Sequence, residues 1–292
     1  MSRGRAEAPA ATRTAVLYTH SDPLGTDSAV RAAVEAAGRA SFALVAEPEE
    51  VAKHGDSASG LRPVDSLPAG PEFCLVLGGD GTILRALRAY AGSEVPVFGI
   101  NFGTVGFLAA GEGSELEGVL ERAFAGDYEV MTLPALEIGA WSGSGVALND
   151  VSFTRRPHGR VAELSYRLGG QEVGHVRCDG LVAATPAGST GYNLANQGPI
   201  LAWGVEGYVV SFVAPHSLTA RPLVVAPDDV LHVRNDAGRD PVDIALDGEP
   251  VGELGPGEEI EVHFRDRVGR LAQLPGSNFY RRIREKFGHL AH

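Results

Sequence analysis

The sequence predicts an α/β N-terminal domain with a doubly wound, largely parallel sheet, followed by an all-β, sandwich-like C-terminal domain. Up to about residue 125, short apolar runs alternate with amphipathic stretches, which is typical of parallel strands joined by crossover helices. After about residue 128, short β-rich segments are separated by Gly, Pro and Asn-Asp turns. The length of 292 residues is sufficient for two domains.

The first domain is predicted to contain four buried strands and at least two helices. The strands are the apolar runs 14–18, 41–46, 73–77 and 95–100. One helix covers 27–38, and a second lies between the last two strands. Residues 47–70 are polar and rich in Gly, Pro and Ser, so they are expected to form a loop with at most one helical turn.

The β-rich half contains a predicted hairpin, in which two alternating segments flank Gly169-Gly170. The basic C-terminal stretch is predicted to be helical, since Phe279, Ile283 and Phe287 are spaced four apart. The predicted boundaries are 12–125 for the α/β domain, 126–268 for the β domain, and 269–292 for a C-terminal segment that returns to the first domain.

Composition excludes several classes of protein. The net charge of -12 argues against nucleic-acid binding, and no apolar run is long enough for a membrane span. No secretory signal is expected at the N-terminus. Cys74 and Cys178 are too few for a disulfide framework or a zinc site. A cytoplasmic protein without a membrane or nucleic-acid partner is therefore expected.

The strongest local motif is Gly78-Gly79-Asp80-Gly81-Thr82, between a predicted buried strand and an amphipathic helix. Ligands of α/β sheets bind beyond the carboxyl ends of strands, and a helix N-terminus attracts phosphate. The glycines permit positive φ and close approach of a ligand. Asp80 could accept a proton from a hydroxyl or help to hold a metal. The simpler alternative is a tight turn in which Asp80 caps the helix.

Further blocks in a fixed order make the pattern specific. They are 100–109 (INFGTVGFLA), 148–150 (LND), 177–201 (RCDGLVAATPAGSTGYNLANQGPIL), 214–225 (APHSLTARPLVV) and 246–250 (LDGEP). Gly78–Thr82 resembles the GGDGT motif shared by NAD kinases, diacylglycerol and sphingosine kinases and 6-phosphofructokinases, and the other blocks resemble NAD kinases. The blocks most resemble those of bacterial members, and the Ala-, Arg- and Gly-rich composition favours an actinobacterial type.

The resemblance implies a role for each residue around the first motif. Asp80 is expected to be the general base that activates the 2′-hydroxyl of the adenosine ribose of NAD. Gly78, Gly79, Gly81 and Thr82 are expected to hold phosphates, with Gly81 beside the substrate. Arg85, one helical turn further on, is expected to face a phosphate.

The resemblance also implies the NAD contacts of the β domain. Asn149 and Asp150 would bond ribose hydroxyls, although a plain β-turn is the alternative. Asp179 would contact the nicotinamide end, and Arg177 the pyrophosphate. The expected cradle for the adenine and nicotinamide groups consists of Thr190, Gly191 and Tyr192.

Three features of this chain complicate that reading. Asp150 and Ala195 stand where the family commonly has glutamate and serine, so a carboxylate is shortened and a hydroxyl is lost. From the residues alone, a half-buried core aromatic is the preferred interpretation of Tyr192. The remaining arginines of this region form either an anionic-substrate rim or a solvated loop: Arg155, Arg156 and Arg160.

The implied reaction transfers the γ-phosphate of ATP to NAD, with a divalent metal, most simply Mg²⁺, on the phosphates. NAD would lie between the two domains, and the resemblance implies a homodimer or homotetramer. Two alternatives stay open: a lipid kinase of the diacylglycerol type, and a nucleotide-binding regulator without turnover.

Overall fold

The fold is described from a computed structural model, in which residues 13–103, 106–139 and 145–288 are described. The chain divides into two compact units. The first comprises the chain up to Ala86, Glu94–Val130 and Ala272–Ser277. The second comprises Leu87–Ser93, Met131–Leu271 and the chain from Asn278 onward.

The first unit is built on a parallel sheet. Its strands are β1 Arg13–Thr19, β2 Phe42–Ala46, β3 Arg62–Pro63, β4 Phe73–Leu77, β5 Val97–Asn101 and β6 Gly111–Glu112. Their order is β3-β2-β1-β4-β5, with β6 beside β5, and these neighbours pair in parallel. The order reverses between β1 and β4, which is where doubly wound sheets bind ligands.

The helices of this unit are α1 Asp27–Arg39, α2 Pro48–His54, α3 Asp80–Ala89 and α4 Leu116–Ala125. The last residues of α3, from Leu87, group with the second unit. Helices α1 and α4 bury their apolar faces in one core with alternate residues of β1, β2, β4 and β5. Helix α4 ends at Gly126, which is left-handed at φ 75°.

The four predicted strands of the first unit are confirmed, as are its first two predicted helices. The prediction of a loop over 47–70 is wrong, because α2 forms there and is followed by a 3₁₀ turn, Gly55–Ala58. Helix α2 buries Glu50 and His54 rather than an apolar face. Its sequence therefore lacks the apolar periodicity that reveals a helix.

The second unit is built almost entirely from antiparallel strands. They are β7 Glu129–Gly139, β8 Val146–Ala147, β9 Asp150–Arg155, β10 Ala162–Leu168, β11 Gln171–Cys178, β12 Gly180–Ala184, β13 Tyr208–Val213, β14 Leu223–Val225, β15 Leu231–Asn235, β16 Val242–Leu246, β17 Glu249–Leu254 and β18 Glu259–Gln273. Within this unit, one face of the sandwich has the strand order β11-β10-β15-β18, with β7 beside β18 and β8 beside β7. The other face is a six-stranded sheet with the order β14-β13-β12-β9-β16-β17.

A single apolar core lies between these two sheets, which confirms the sandwich-like prediction. Phe153, Leu181 and Tyr208 of one sheet and Leu164 and Val262 of the other are buried together. Inward-facing residues alternate along the strands, as in other packed sheets. The predicted hairpin is also confirmed: β10 pairs with β11, and both glycines of its turn have positive φ.

Two helices complete the second unit: α5 Tyr192–Ala195 and α6 Phe279–Phe287. Asn278 caps α6 by accepting bonds from the backbone N–H groups of Tyr280 and Arg281. The Phe279 ring lies 5.3 Å from that of Trp203. Within the segment 269–292, Ala272–Ser277 groups with the first unit, whereas α6 groups with the second unit.

Candidate functional site

The glycine-rich turn lies at the carboxyl end of β4, beside the point where the strand order reverses. Backbone bonds hold it: the Gly78 N–H donates to Ile100, and the Thr82 N–H donates to Gly79. A side chain at Gly78 would come within 2.7 Å of Thr82 Oγ1. Gly78, Gly79 and Gly81 do not have positive φ. Glycine is therefore required at position 78 for space rather than for an unusual backbone angle.

Asp80 begins α3, and its carboxylate is held by the chain that follows β5. Oδ2 accepts the N–H of Phe107 at 2.8 Å, and Oδ1 accepts that of Leu108 at 3.1 Å. A Cβ at Gly106 would lie 2.2 Å from Oδ1, so only glycine fits there. Each carboxylate oxygen keeps a second lone pair, which is available to a substrate hydroxyl.

These contacts show what part of the sequence block 100–109 does in the structure. Its Gly106, Phe107 and Leu108 lie against the Asp80 carboxylate. Asn101, the last residue of β5, is buried, and its side-chain amide donates to the Gly103 carbonyl and to Glu112. Thr104 and Val105 of the block lie outside the described residues.

Arg85 points to a carboxylate of its own unit. Its Nη2 donates to Glu50 Oε1 at 2.6 Å and to the Thr19 carbonyl at 3.2 Å, and the guanidinium lies over the Tyr18 ring. The side chain is 43% exposed, which leaves part of the guanidinium accessible. The structure thus gives Arg85 a partner that the sequence did not predict, next to the predicted phosphate turn.

Glu50 is the centre of a buried polar network at the carboxyl end of β1. Its Oε2 accepts bonds from the Thr19 N–H and lies 2.9 Å from Lys53 Nζ. The His54 ring bridges Thr19 Oγ1 and Asp27 Oδ1 at 2.7 and 2.6 Å. Sequence reasoning missed this network, because its members come from the four elements β1, α1, α2 and α3, and α2 was predicted as a loop.

In the second unit, the predicted pair Asn149-Asp150 is organised by Asp247. The Asp247 carboxylate accepts the backbone N–H groups of Leu148, Asn149 and Asp150 at 3.1, 2.6 and 3.2 Å. Asp247 has a positive φ of 50° and a fully buried side chain. These hydrogen bonds join block 246–250 to block 148–150. The sequence did not predict this role of Asp247.

Asp150 is a buried carboxyl beside a second carboxyl. Its residue exposure is 6%. Burial and, secondly, the charge of Asp247 raise the pKa of Asp150 from 3.8 to about 7. Burial also raises the pKa of Asp247, whereas its backbone hydrogen bonds and Arg88 lower it. Asn149 Oδ1 is buried without a hydrogen-bond partner among the described residues. Such an atom is suited to accept a bond from a ligand.

The middle of the long block 177–201 packs directly against this pair. Thr185 bonds to Leu148 and Asn149 through its hydroxyl and its backbone N–H. A Cβ at Gly188 would lie 2.1 Å from the Asn149 carbonyl oxygen, which explains the glycine there. Gly191 lies close to Asp150, since a Cβ on it would be 3.9 Å from Asp150 Oδ2.

Tyr192 is 38% exposed and is not a core aromatic. Burial, followed by the charges of Asp150 and Asp179, raises the pKa of its hydroxyl, so both carboxylates are near it.

Thr190, predicted to belong to the same cradle, donates its hydroxyl to the Ala187 carbonyl. Ala195 lines a cavity of about 380 Å³ together with Phe212 and Arg221.

The remaining predicted residues have protein partners. Asp179 forms a short ion pair with Arg155, at 2.6 Å between Oδ1 and Nε. Arg177 lies 3.2 Å from Glu163 and is largely exposed. Arg156 pairs with Asp243 and Glu253. Arg155 and Arg156 are thus neither an unpaired anion-binding rim nor a purely solvated loop.

Two features are absent from the described part of the chain. Across the described ranges, no three His, Cys, Asp or Glu side chains cluster closely enough to hold a metal ion. No helix in the described part of the chain is long and apolar enough to cross a membrane. The structure thus has a carboxylate at a glycine-rich turn, in a doubly wound unit followed by a β-sandwich, and the sequence has no GxxxxGK(S/T) motif, so the chain is not a P-loop kinase.

Comparisons with known proteins specify the family. The model of the ATP-NAD kinase N-terminal domain matches residues 62–128, and that of the C-terminal domain matches residues 148–271. The NAD kinase of Gemmatimonas aurantiaca is 32% identical over 92% of this chain and 93% of its own length. That of Symbiobacterium thermophilum is 37% identical over 83% and 90%. The chain belongs to the ATP-NAD kinase family.

Solved structures agree with the fold. Yeast NADH kinase complexed with NADH superposes with a TM-score of 0.84 at 21% identity, covering 96% of this chain and 88% of the other. An NAD kinase from Archaeoglobus fulgidus in complex with ATP superposes with a TM-score of 0.71 at 26% identity, covering 94% and 97%. The predicted family and the predicted fold class are both confirmed.

Proposed function

We propose that this protein is an ATP-dependent NAD kinase that transfers the γ-phosphate of ATP to the 2′-hydroxyl of the adenosine ribose of NAD, forming NADP. Membership of the ATP-NAD kinase family supports the reaction. The observation that carries the proposal is the Asp80 carboxylate, held by two backbone N–H groups at the start of α3 within the glycine-rich turn.

In this proposal Asp80 is the general base. A ribose hydroxyl is a weak nucleophile, and a carboxylate within hydrogen-bond reach accepts its proton as the bond to phosphorus forms. The fixed carboxylate needs no rearrangement to receive the hydroxyl, because both of its oxygens already have defined positions. Gly78, Gly79, Gly81 and Thr82 are proposed to bind phosphate with backbone N–H groups at the N-terminus of α3.

Arg85 is proposed to assist in phosphate binding through the exposed part of its guanidinium. Glu50 neutralises part of the Arg85 charge, so the residue contributes less attraction to an anion than a free arginine would.

NAD is proposed to be recognised by the second unit. The unpartnered Oδ1 of Asn149 accepts a ribose hydroxyl or an amide N–H, and the buried Asp150 bonds a second hydroxyl. Tyr192 offers an exposed ring for stacking, beside Thr190 and Gly191. Asp179 and Arg177 are proposed to approach the nicotinamide end and the pyrophosphate, which requires them to share or leave Arg155 and Glu163.

A divalent metal, most simply Mg²⁺, is proposed to accompany ATP. Mg²⁺ commonly binds through substrate phosphates and waters with one or two carboxylates, which fits a chain whose described residues offer no cluster of three ligands. When bound, the ion would offset the charge that develops on the donor phosphates.

Assembly and location are proposed from the resemblance and the composition. We propose a homodimer or homotetramer, as the family resemblance implies, and a cytoplasmic location, as the small number of cysteines suggests. The actinobacterial type inferred from composition stays a prediction.

One assay tests the proposed function. Purified protein is incubated with ATP and MgCl₂, with NAD or diacylglycerol as the acceptor, and NADP is measured with an NADP-specific dehydrogenase. We expect NADP only in the complete NAD reaction. Absence of NADP, or phosphorylation of diacylglycerol instead, would contradict the proposal.

A further inference from the structure

The position of the Asp80 carboxylate depends on the chain that passes over it. Both oxygens are bonded to consecutive backbone N–H groups, those of Phe107 and Leu108. The preceding Gly106 lies so close that a methyl group there would overlap the carboxylate. Any shift of residues 106–108 would therefore move or release the carboxylate.

Gln273 holds this chain from its other side. Its amide Nε2 donates to the Leu108 carbonyl oxygen at 2.8 Å. Leu108 thus donates its N–H to Asp80 and accepts a bond from Gln273, so both polar groups of its backbone are held. Gln273 is 5% exposed, which makes its hydrogen bond strong in competition with water.

The orientation of the Gln273 amide is itself determined. Ser277 Oγ donates to its Oε1 at 3.0 Å, which leaves the NH₂ group directed at Leu108. The backbone of this short stretch, Ala272–Ser277, belongs to the first unit although it follows almost the whole β-rich half of the chain.

We propose that Gln273 is a positioning residue for phosphoryl transfer, which acts through Leu108 to hold the Asp80 carboxylate where it meets the ribose hydroxyl. The inference rests on the proposed function, in which Asp80 is the general base. Gln273 does not touch the reacting atoms. It should therefore affect turnover rather than substrate binding, since misplacement of a catalytic group by about 1 Å can cost ~100-fold in rate.

A purely structural role is the competing explanation, because a buried glutamine also satisfies a buried carbonyl. The two explanations differ in what happens once the Asp80 carboxylate is gone. A positioning residue then loses its effect on turnover, whereas a structural residue continues to lower activity together with stability.

The test is a kinetic double-mutant cycle with Gln273→Met, which keeps the side-chain length and removes the donor. Gln171→Met, at an exposed position, is the matched control. We expect Gln273→Met to lower kcat by about 10- to 100-fold with the KM values for NAD and ATP within about twofold of wild type. In the Asp80→Asn background it should change kcat by less than about twofold. Gln171→Met should have no effect.

A milder variant, Ser277→Ala, keeps the proposal testable if Gln273→Met does not fold. It should lower kcat in the same direction by a smaller factor. Wild-type kcat in a folded Gln273→Met, or an equal loss in both backgrounds, would overturn the positioning role while leaving the general base intact. Wild-type turnover of Asp80→Asn alone would overturn the proposed base and this inference with it.

Discussion

The buried carboxyl of Asp150 should make the protein less stable as the pH rises, and Asp150→Asn should remove that cost. The pKa of Asp150 is about 7 in the folded protein against an ordinary 3.8, a difference of about three pH units. At about 1.4 kcal/mol per unit, the cost of ionising it in the folded state is about 4 kcal/mol. Burial is the larger cause and the neighbouring Asp247 the smaller.

The sign follows from proton binding. Below about pH 4 the carboxyl is protonated in both the folded and the unfolded state, so it causes no pH-dependent loss. Between about pH 4 and pH 7 the unfolded state releases this proton while the folded state keeps it, and stability falls. Above about pH 7 both states are ionised and the full cost is present. An asparagine resembles the protonated form and has no such cost.

The assay is urea unfolding of the wild type, Asp150→Asn and the exposed control Asp228→Asn at pH 5, 6, 7 and 8. The stability advantage of Asp150→Asn should grow from pH 5 to pH 7, towards at most about 4 kcal/mol, and then level off. Asp228→Asn should show no such growth. An Asp150→Asn advantage that is the same at pH 5 and pH 8 would refute the reasoning from burial and repulsion.

Three further predictions concern the first unit. Asp80→Asn should make NADP at least ~100-fold more slowly at saturating substrates, because the general base is lost. It should also melt at a lower temperature, because the asparagine NH₂ group would face a backbone N–H group that now donates to Asp80. Near-wild-type turnover would contradict the proposed base. Gly106→Ala should abolish most turnover, because the added Cβ would lie 2.2 Å from Asp80 Oδ1. The control Gly103→Ala should stay active, because the nearest atom to its added Cβ would be 3.9 Å away. Equal activities of the two variants would show that the carboxylate can move freely. Arg85→Ala should raise the KM for ATP more than it lowers kcat, and unchanged KM values for both substrates would rule out phosphate binding.

The parts of the fold that the sequence predicted depend on local patterns. The apolar runs became β1, β2, β4 and β5, and the glycine-rich turn lies between β4 and α3 as expected. Burial of a strand or of one helix face leaves a periodic pattern in neighbouring residues, which can be read without knowledge of the fold. Helix α2 escaped prediction because its buried residues, Glu50 and His54, are polar.

The C-terminal segment shows the limit of reading amphipathicity alone. The pattern of Phe279, Ile283 and Phe287 predicted a docked helix, and α6 forms with Ile283 buried. Phe287 remains 36% exposed. The pattern could not predict which surface α6 packs against, because the contact is with Trp203, which lies far earlier in the chain.

The family, the order of strands and helices around the turn, and the identity of the candidate base, Asp80, could all be predicted from the sequence. The groups that surround that base and the proposed NAD-binding pair are known only from the tertiary structure. Asp247 is 97 residues from Asp150, and Gln273 is 165 residues from Leu108, yet each forms a direct hydrogen bond to its partner's backbone. Such bonds leave no local periodicity, because they form only when packing of the apolar core brings distant strand ends together.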